Sequence, residues 1–171
     1  MNFKKVSQEV FYTDDPVVNI GLEDIERLKK ISNNNKRKRS RICAHPEEKD
    51  LLHEMIIVHR NDTYVRPHKH LQKSESFYII EGSASIFIFN EDGDVSQVIK
   101  MGSYLSGDKF YCRLPKMSYH TFIITSDIIV FHECTSGPFK KNETVYAPWS
   151  PSEDRHNEVN RFMSRLSALI E

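Results

Sequence analysis

Two histidines set two residues apart, His68 and His70, lie in the stretch Tyr64-Val-Arg-Pro-His-Lys-His70, with Glu75 five residues further on. In a β-strand, residues i and i+2 point to the same face. Two imidazoles on one face with a carboxylate just beyond are the start of a metal site. Such a site needs a pocket, a further ligand and strands that hold the donors rigid.

The chain has 171 residues, enough for one well-buried domain. Its 24 basic and 24 acidic residues balance, which argues against a strongly basic nucleic-acid binder. Cys43, Cys112 and Cys134 are widely spaced and form no CxxC pair, which reads as reduced thiols. No apolar h-region follows Lys4-Lys5, and no run approaches the roughly 18 apolar residues of a membrane span. The expectation is a cytoplasmic protein with neither nucleic-acid nor membrane partners.

From residue 51 onward, short segments rich in Ile, Val, Phe and Tyr alternate with turns. They are Leu52–His59, Thr63–His70, Glu75–Glu81, Ser83–Phe89, Val95–Met101, Phe110–Leu114, His120–Thr125 and Ile128–Cys134. Regular short strands with this punctuation predict an antiparallel sandwich or barrel over residues 51–136. Residues 1–50 read as an N-terminal extension. It holds a strand over residues 3–12, a helix carrying Leu22, Ile25, Leu28 and Ile31 on one face, and a basic run Lys36-Arg-Lys-Arg-Ser-Arg41. The run is either a solvated loop or a patch for an anionic small molecule. Residues 137–171 read as a tail plus an amphipathic helix. Ser150-Pro-Ser-Glu153 fits a capping box, and Val159, Phe162, Met163 and Leu166 make an apolar stripe that docks on the barrel or on a second copy.

The pattern His68-x-His70-x4-Glu75-x6-Gly82 resembles the first motif of the cupin superfamily, and Pro115-x4-His120 stands in the place of the second. Two turn positions depart from the motifs: Asp62 and Met117 stand where a glycine is usual. The resemblance implies an all-β core, a double-stranded β-helix or jelly-roll barrel, flanked here by the two helices. It also implies that His68, His70, Glu75 and His120 bind one metal inside the barrel. Three neutral imidazoles and a carboxylate suit one divalent transition metal (Zn, Fe, Mn, Ni or Co) with coordination positions left open. The chain is also similar to the WbuC family of cupin-fold metalloproteins, found with O-antigen (surface lipopolysaccharide) biosynthesis. The segments that carry this likeness are Arg41-x-Cys43-x-His45-Pro46, Tyr64-Val-Arg-Pro-His-x-His70, Phe77-Tyr-Ile-Ile-Glu-Gly82, Pro115-x4-His120-Thr121, Gly137-Pro-Phe139 and Tyr146-Ala-Pro-Trp-Ser-Pro151.

Parity then nominates the residues around the metal. Tyr64 and Arg66 alternate with the two histidines, so both are candidate substrate contacts, and the guanidinium of Arg66 suits a phosphate or carboxylate. Arg41, Cys43 and His45 alternate likewise; Arg41 and His45 are candidates for the pocket mouth, and Cys43 suits a small buried position. His132 and Glu133 are adjacent, so only one can face inward, and that one is the candidate acid or base. His53, His59 and His156 have no partners at ligand spacing and read as structural. Trp149 either stacks on a sugar or plugs one end of the core.

Three functions fit this inventory. The first is a metal-dependent isomerase or epimerase acting on a carbohydrate or sugar-nucleotide intermediate of surface-polysaccharide assembly. The others are an Fe(II)-dependent dioxygenase and a non-catalytic sugar-binding or regulatory cupin. A homodimer is also compatible.

Overall fold

A computed structural model describes residues 3–170. Twelve strands build two facing sheets. In chain order they are β1 (Phe3–Lys5), β2 (Val10–Thr13), β3 (Arg39–Cys43), β4 (Leu52–Arg60), β5 (His68–His70), β6 (Glu75–Glu81), β7 (Ser83–Phe89), β8 (Val95–Gly102), β9 (Tyr111–Leu114), β10 (Tyr119–Ile124), β11 (Ile128–Ser136) and β12 (Thr144–Tyr146). The larger sheet runs β1-β2-β3-β4-β11-β6-β9 and the smaller β12-β5-β10-β7-β8. Two helices flank them, α1 (Leu22–Asn34) and α2 (His156–Ser167).

Alternation explains the core. Met55 and Ile57 of β4, Phe77 and Ile79 of β6, and Ile129 and Phe131 of β11 are buried against Ile86 of β7 and Phe122 and Ile124 of β10. Phe122 stacks on Phe131, and Phe77 meets Phe122 edge-on with ring centroids 4.8 Å apart. Each such ring contributes about 2 kcal/mol through burial. Gly82 joins β6 to β7 at φ +80°, and a Cβ there would run into the Ile128 carbonyl, so this turn of the motif requires glycine.

The N-terminal extension is part of the larger sheet. The single strand expected over residues 3–12 is a pair, β1 and β2, joined antiparallel, and β3 bonds antiparallel to β4 with Arg41 opposite Ile57. α1 covers the outer face of that sheet, with Ile25 and Leu28 packed on Phe11, Ile42, Val58 and Val130. Asp24 accepts the Gly21 N–H at 2.9 Å, fixing the helix start. The helix runs past Ile31 to Asn34, and its last turn carries no basic residue.

α2 covers the other sheet. Phe162 and Leu166 pack with Phe87, Phe89, Tyr119, Ile123 and Ala147 of the same chain. Its expected capping box does not form, because the helix begins only at His156. Ser150 is occupied elsewhere: its hydroxyl donates to Ala147 O at 2.7 Å and accepts from Arg66 Nε at 3.0 Å. Among the described residues, no helix is long and apolar enough to cross a membrane.

Candidate metal centre

The smaller sheet brings two of the three histidines side by side. β5 pairs with β10 so that His68 lies opposite His120. On its other edge β5 pairs with β12, with Tyr146 opposite His68 and Thr144 opposite His70. Glu75 opens β6 on the facing sheet and projects across the barrel. Ring centroids are 4.5 Å apart for His68–His120 and 5.1 Å for His68–His70. Glu75 bridges the cluster: its Oε1 lies 2.9 Å from His120 Nε2 and its Oε2 lies 3.3 Å from His70 Nε2.

The opposite nitrogen of each ring is already engaged. His68 Nδ1 lies 2.9 Å from Arg66 O, His120 Nδ1 lies 3.0 Å from Ser118 O, and His70 Nδ1 lies 3.1 Å from Thr144 Oγ1. A carbonyl on Nδ1 fixes the tautomer that leaves Nε2 as a lone-pair donor, and such outer contacts orient metal ligands. Cis ligands on a six-coordinate ion with bonds of about 2.1 Å stand roughly 3.0 Å apart. The His120–Glu75 and His70–Glu75 separations fit that spacing. As the side chains stand, no group of three or more His, Cys, Asp or Glu among the described residues forms an assembled cage. The donor set and its anchoring therefore fit one ion, which would stand in place of the direct His–Glu75 contacts.

Electrostatics distinguish the members. Burial alone would raise the Glu75 pKa, but His120 and His70 outweigh it and hold the carboxyl well below the usual range. Burial opposes protonation of His120, yet Glu75 wins and its pKa is raised. His68, packed away from solvent and beside His120, is pushed down to about 3.

A cavity of about 630 Å³ opens from this cluster between the sheets. Parity on β11 puts Phe131, Glu133 and Thr135 on its wall. Of the two candidate acid–base residues, Glu133 is the inward one. Burial, and then the nearby Glu75, raise its pKa to about 7, with Arg41, His120 and Lys73 pulling the other way. It keeps some solvent access through the cavity while packed by the barrel wall. His132 faces away, its Nε2 3.6 Å from Glu54 Oε1 on the outer surface, so it is not a catalytic candidate.

Tyr64 also departs from expectation. Strand β5 begins only at His68, since Pro67 has no N–H to give a ladder, and parity does not carry back through it. Tyr64 instead packs edge-on against Phe162, and its hydroxyl donates to Pro151 O at 2.8 Å. Arg66 touches the cavity, but its guanidinium is committed to Ser150 Oγ, Ser150 O and Ala147 O and lies over the Tyr146 ring. It clamps the C-terminal tail rather than serving as a free hook. Trp149 is a plug: it packs on Phe89 and Phe162, and its indole N–H donates to Glu91 O at 3.1 Å.

Arg41 and His45 both line the cavity. His45 is buried and stacks on His53 with centroids 4.0 Å apart. Cys43 is buried, and burial raises its thiol pKa. Two arginines of the basic run are ion-paired: Arg37 and Arg39 pair with Glu9, and Arg37 also reaches Glu153. Among the wall residues that sequence reasoning left out are His53, His59 and Lys73. The alternation of His53, Met55, Ile57 and His59 along β4 carried the signal for the first two. Lys73 lies in the loop between β5 and β6, where parity gives no direction.

A family model described as "Domain of unknown function (DUF6016)" matches residues 20–101. That span contains His68, His70 and Glu75 and stops short of His120 and Glu133. No curated protein matches the chain. Among solved structures, the chain is similar to CapF, crystallised with the inhibitor 3-isopropenyl-tropolone. The two share 20% identity over 66% of this chain and 32% of that one, with a TM-score of 0.51. The fold is a cupin jelly roll. Weaker likenesses are to protein SO0799 from Shewanella oneidensis (18% identity, 60% of this chain and 66% of that one, TM-score 0.48) and to oxalate decarboxylase from Lactobacillus farciminis in a formate complex (17%, 57% and 27%, 0.45). The chain thus spans under two-thirds of SO0799 and about a quarter to a third of the other two proteins.

Proposed function

We propose that this cupin is a mononuclear metalloprotein acting on a carbohydrate or sugar-nucleotide intermediate of surface-polysaccharide assembly, by proton transfer of the isomerase or epimerase type. The observation that carries the reading is the anchoring of three imidazoles through Nδ1, with Nε2 of His70 and His120 turned onto one carboxylate. A divalent ion held by His68, His70, Glu75 and His120 supplies Lewis acidity toward a carbonyl or hydroxyl oxygen. Glu133 holds and moves the proton, since it is the inward carboxyl on the wall beside that cluster. Phe77 and Phe131 give that wall its apolar, water-excluding surface.

The link to polysaccharide assembly rests on the WbuC-like segments, and packing gives those segments a common purpose. The Arg66 carbonyl anchors His68, the Arg66 guanidinium holds Ala147 and Ser150, and Thr144 anchors His70. The Arg-Pro-His-x-His and Tyr-Ala-Pro-Trp runs therefore support one site from two sides.

The test is proton exchange. Metal-loaded protein is incubated in D2O with a panel of nucleotide sugars and followed by NMR. The reading expects deuterium to enter at a carbon next to a carbonyl or carbinol, and Glu133→Gln to abolish this while keeping the metal. Oxygen consumption coupled to turnover, or sugar binding that survives His68→Ala with no exchange at all, would overturn it.

A further inference from the structure

Lys73 is only 7% exposed and lines the cavity wall. The ion pairs among the described residues engage Lys29, Arg37, Arg39, Lys69, Lys140 and Arg155, but neither Lys73 nor Arg41. The Lys73 ammonium lies 5.6 Å from the centre of the Phe139 ring, and no described carboxylate stands within ion-pair distance of it. Its Nζ is not among the fully buried, unpartnered polar atoms, so it opens on the cavity, where an anion can meet it. Arg41 stands at the mouth of the same cavity, the one basic-run arginine that Glu9 and Glu153 do not neutralise. Lys73, Arg41 and Glu133 all line this one cavity.

We propose that this cavity recognises its substrate through an oxyanion, a carboxylate or a phosphate, held by Lys73 from within and Arg41 at the mouth. The proposal names the substrate class of the metal cavity and rests on that reading for its place. It makes the ligand an acidic sugar or a sugar phosphate rather than a neutral sugar.

The experiment is calorimetric titration of the protein with D-glucuronate, inorganic phosphate and D-glucose, alongside metal content. The expected result is saturable binding of at least one oxyanion, which also identifies the group, and none of glucose. Lys73→Met and Arg41→Gln should each weaken that binding about tenfold or more, the loss of a charge-assisted hydrogen bond. Lys73→Arg should restore part of it, which separates charge from folding. Oxyanion affinity unchanged in both variants, or glucose bound as tightly as glucuronate, would overturn the proposal. Metal content distinguishes the two readings. Charge-dependent oxyanion binding in a protein that never holds metal would sink the metal reading alone. Full metal with charge-insensitive binding would sink this one alone.

Discussion

His120 and Glu75 are buried together, His120 Nε2 2.9 Å from Glu75 Oε1, across the gap between the two sheets. The contact joins β10 to β6, and it is the shorter of the two contacts that Glu75 makes with the histidines of the facing sheet, the other being to His70 at 3.3 Å. Removing one partner from a buried ionic pair leaves the other uncompensated, which typically costs 3–5 kcal/mol. Glu75→Leu should therefore lower the stability of chelator-treated protein by about 3 kcal/mol in urea unfolding. The double variant Glu75→Leu/His120→Leu should lose less than the sum of the singles, because their costs overlap. Strict additivity would mean that the pair does not interact.

The two positions that depart from the cupin glycines behave differently. Met117 has φ +68°, while Asp62 is not in the left-handed region. A non-glycine residue there costs about 1–2 kcal/mol, and glycine returns part of the gain as chain entropy. Met117 is 48% exposed, so little packing is lost on truncation. Met117→Gly should raise stability by about 0.5–1 kcal/mol, whereas Asp62→Gly should lower it by a similar amount. Equal shifts of the unfolding midpoint in the same direction would contradict the backbone assignment.

His59 makes stability pH-dependent. It is buried with Nδ1 unpartnered, and burial, followed by Arg41 and Arg37, pushes its pKa from 6.5 to about 3. The folded pKa lies below the unfolded one, so below 6.5 the unfolded chain binds the extra proton. The stabilisation is fully present above pH 6.5 and is lost as pH falls toward 3. Between pH 7 and pH 5 this group alone should cost about 2 kcal/mol. Urea midpoints of wild type and His59→Leu at the two pH values check it. The wild type should lose about 2 kcal/mol more than the variant, and equal losses would contradict the assignment.

Much of the barrel was legible because alternation fixes which side chains a strand buries. β4, β6, β7, β8, β10 and β11 fall within two residues of the segments read from hydrophobic pattern. The juxtaposition of His68 and His70 was legible because i, i+2 spacing survives even in the three-residue strand β5. What failed depended on partners that lie far off in sequence. β12 has only three residues and exists because β5 offers it an edge. The inward choice of Glu133 over His132 rests on the register of β11 with β4 and β6. Tyr64 was misplaced because parity was carried through a proline. Ser150 was misread as a cap because Arg66, 84 residues earlier, claims it.

The central claim is that His68, His70, Glu75 and His120 bind one metal ion. The most direct test is elemental analysis of freshly purified wild type and of His70→Ala and His120→Ala, each checked for folding by circular dichroism. The predicted result is close to one equivalent of a single divalent transition metal in the wild type and a tenfold or greater loss in both variants. Substoichiometric metal in the wild type, unchanged by either substitution, would contradict the account.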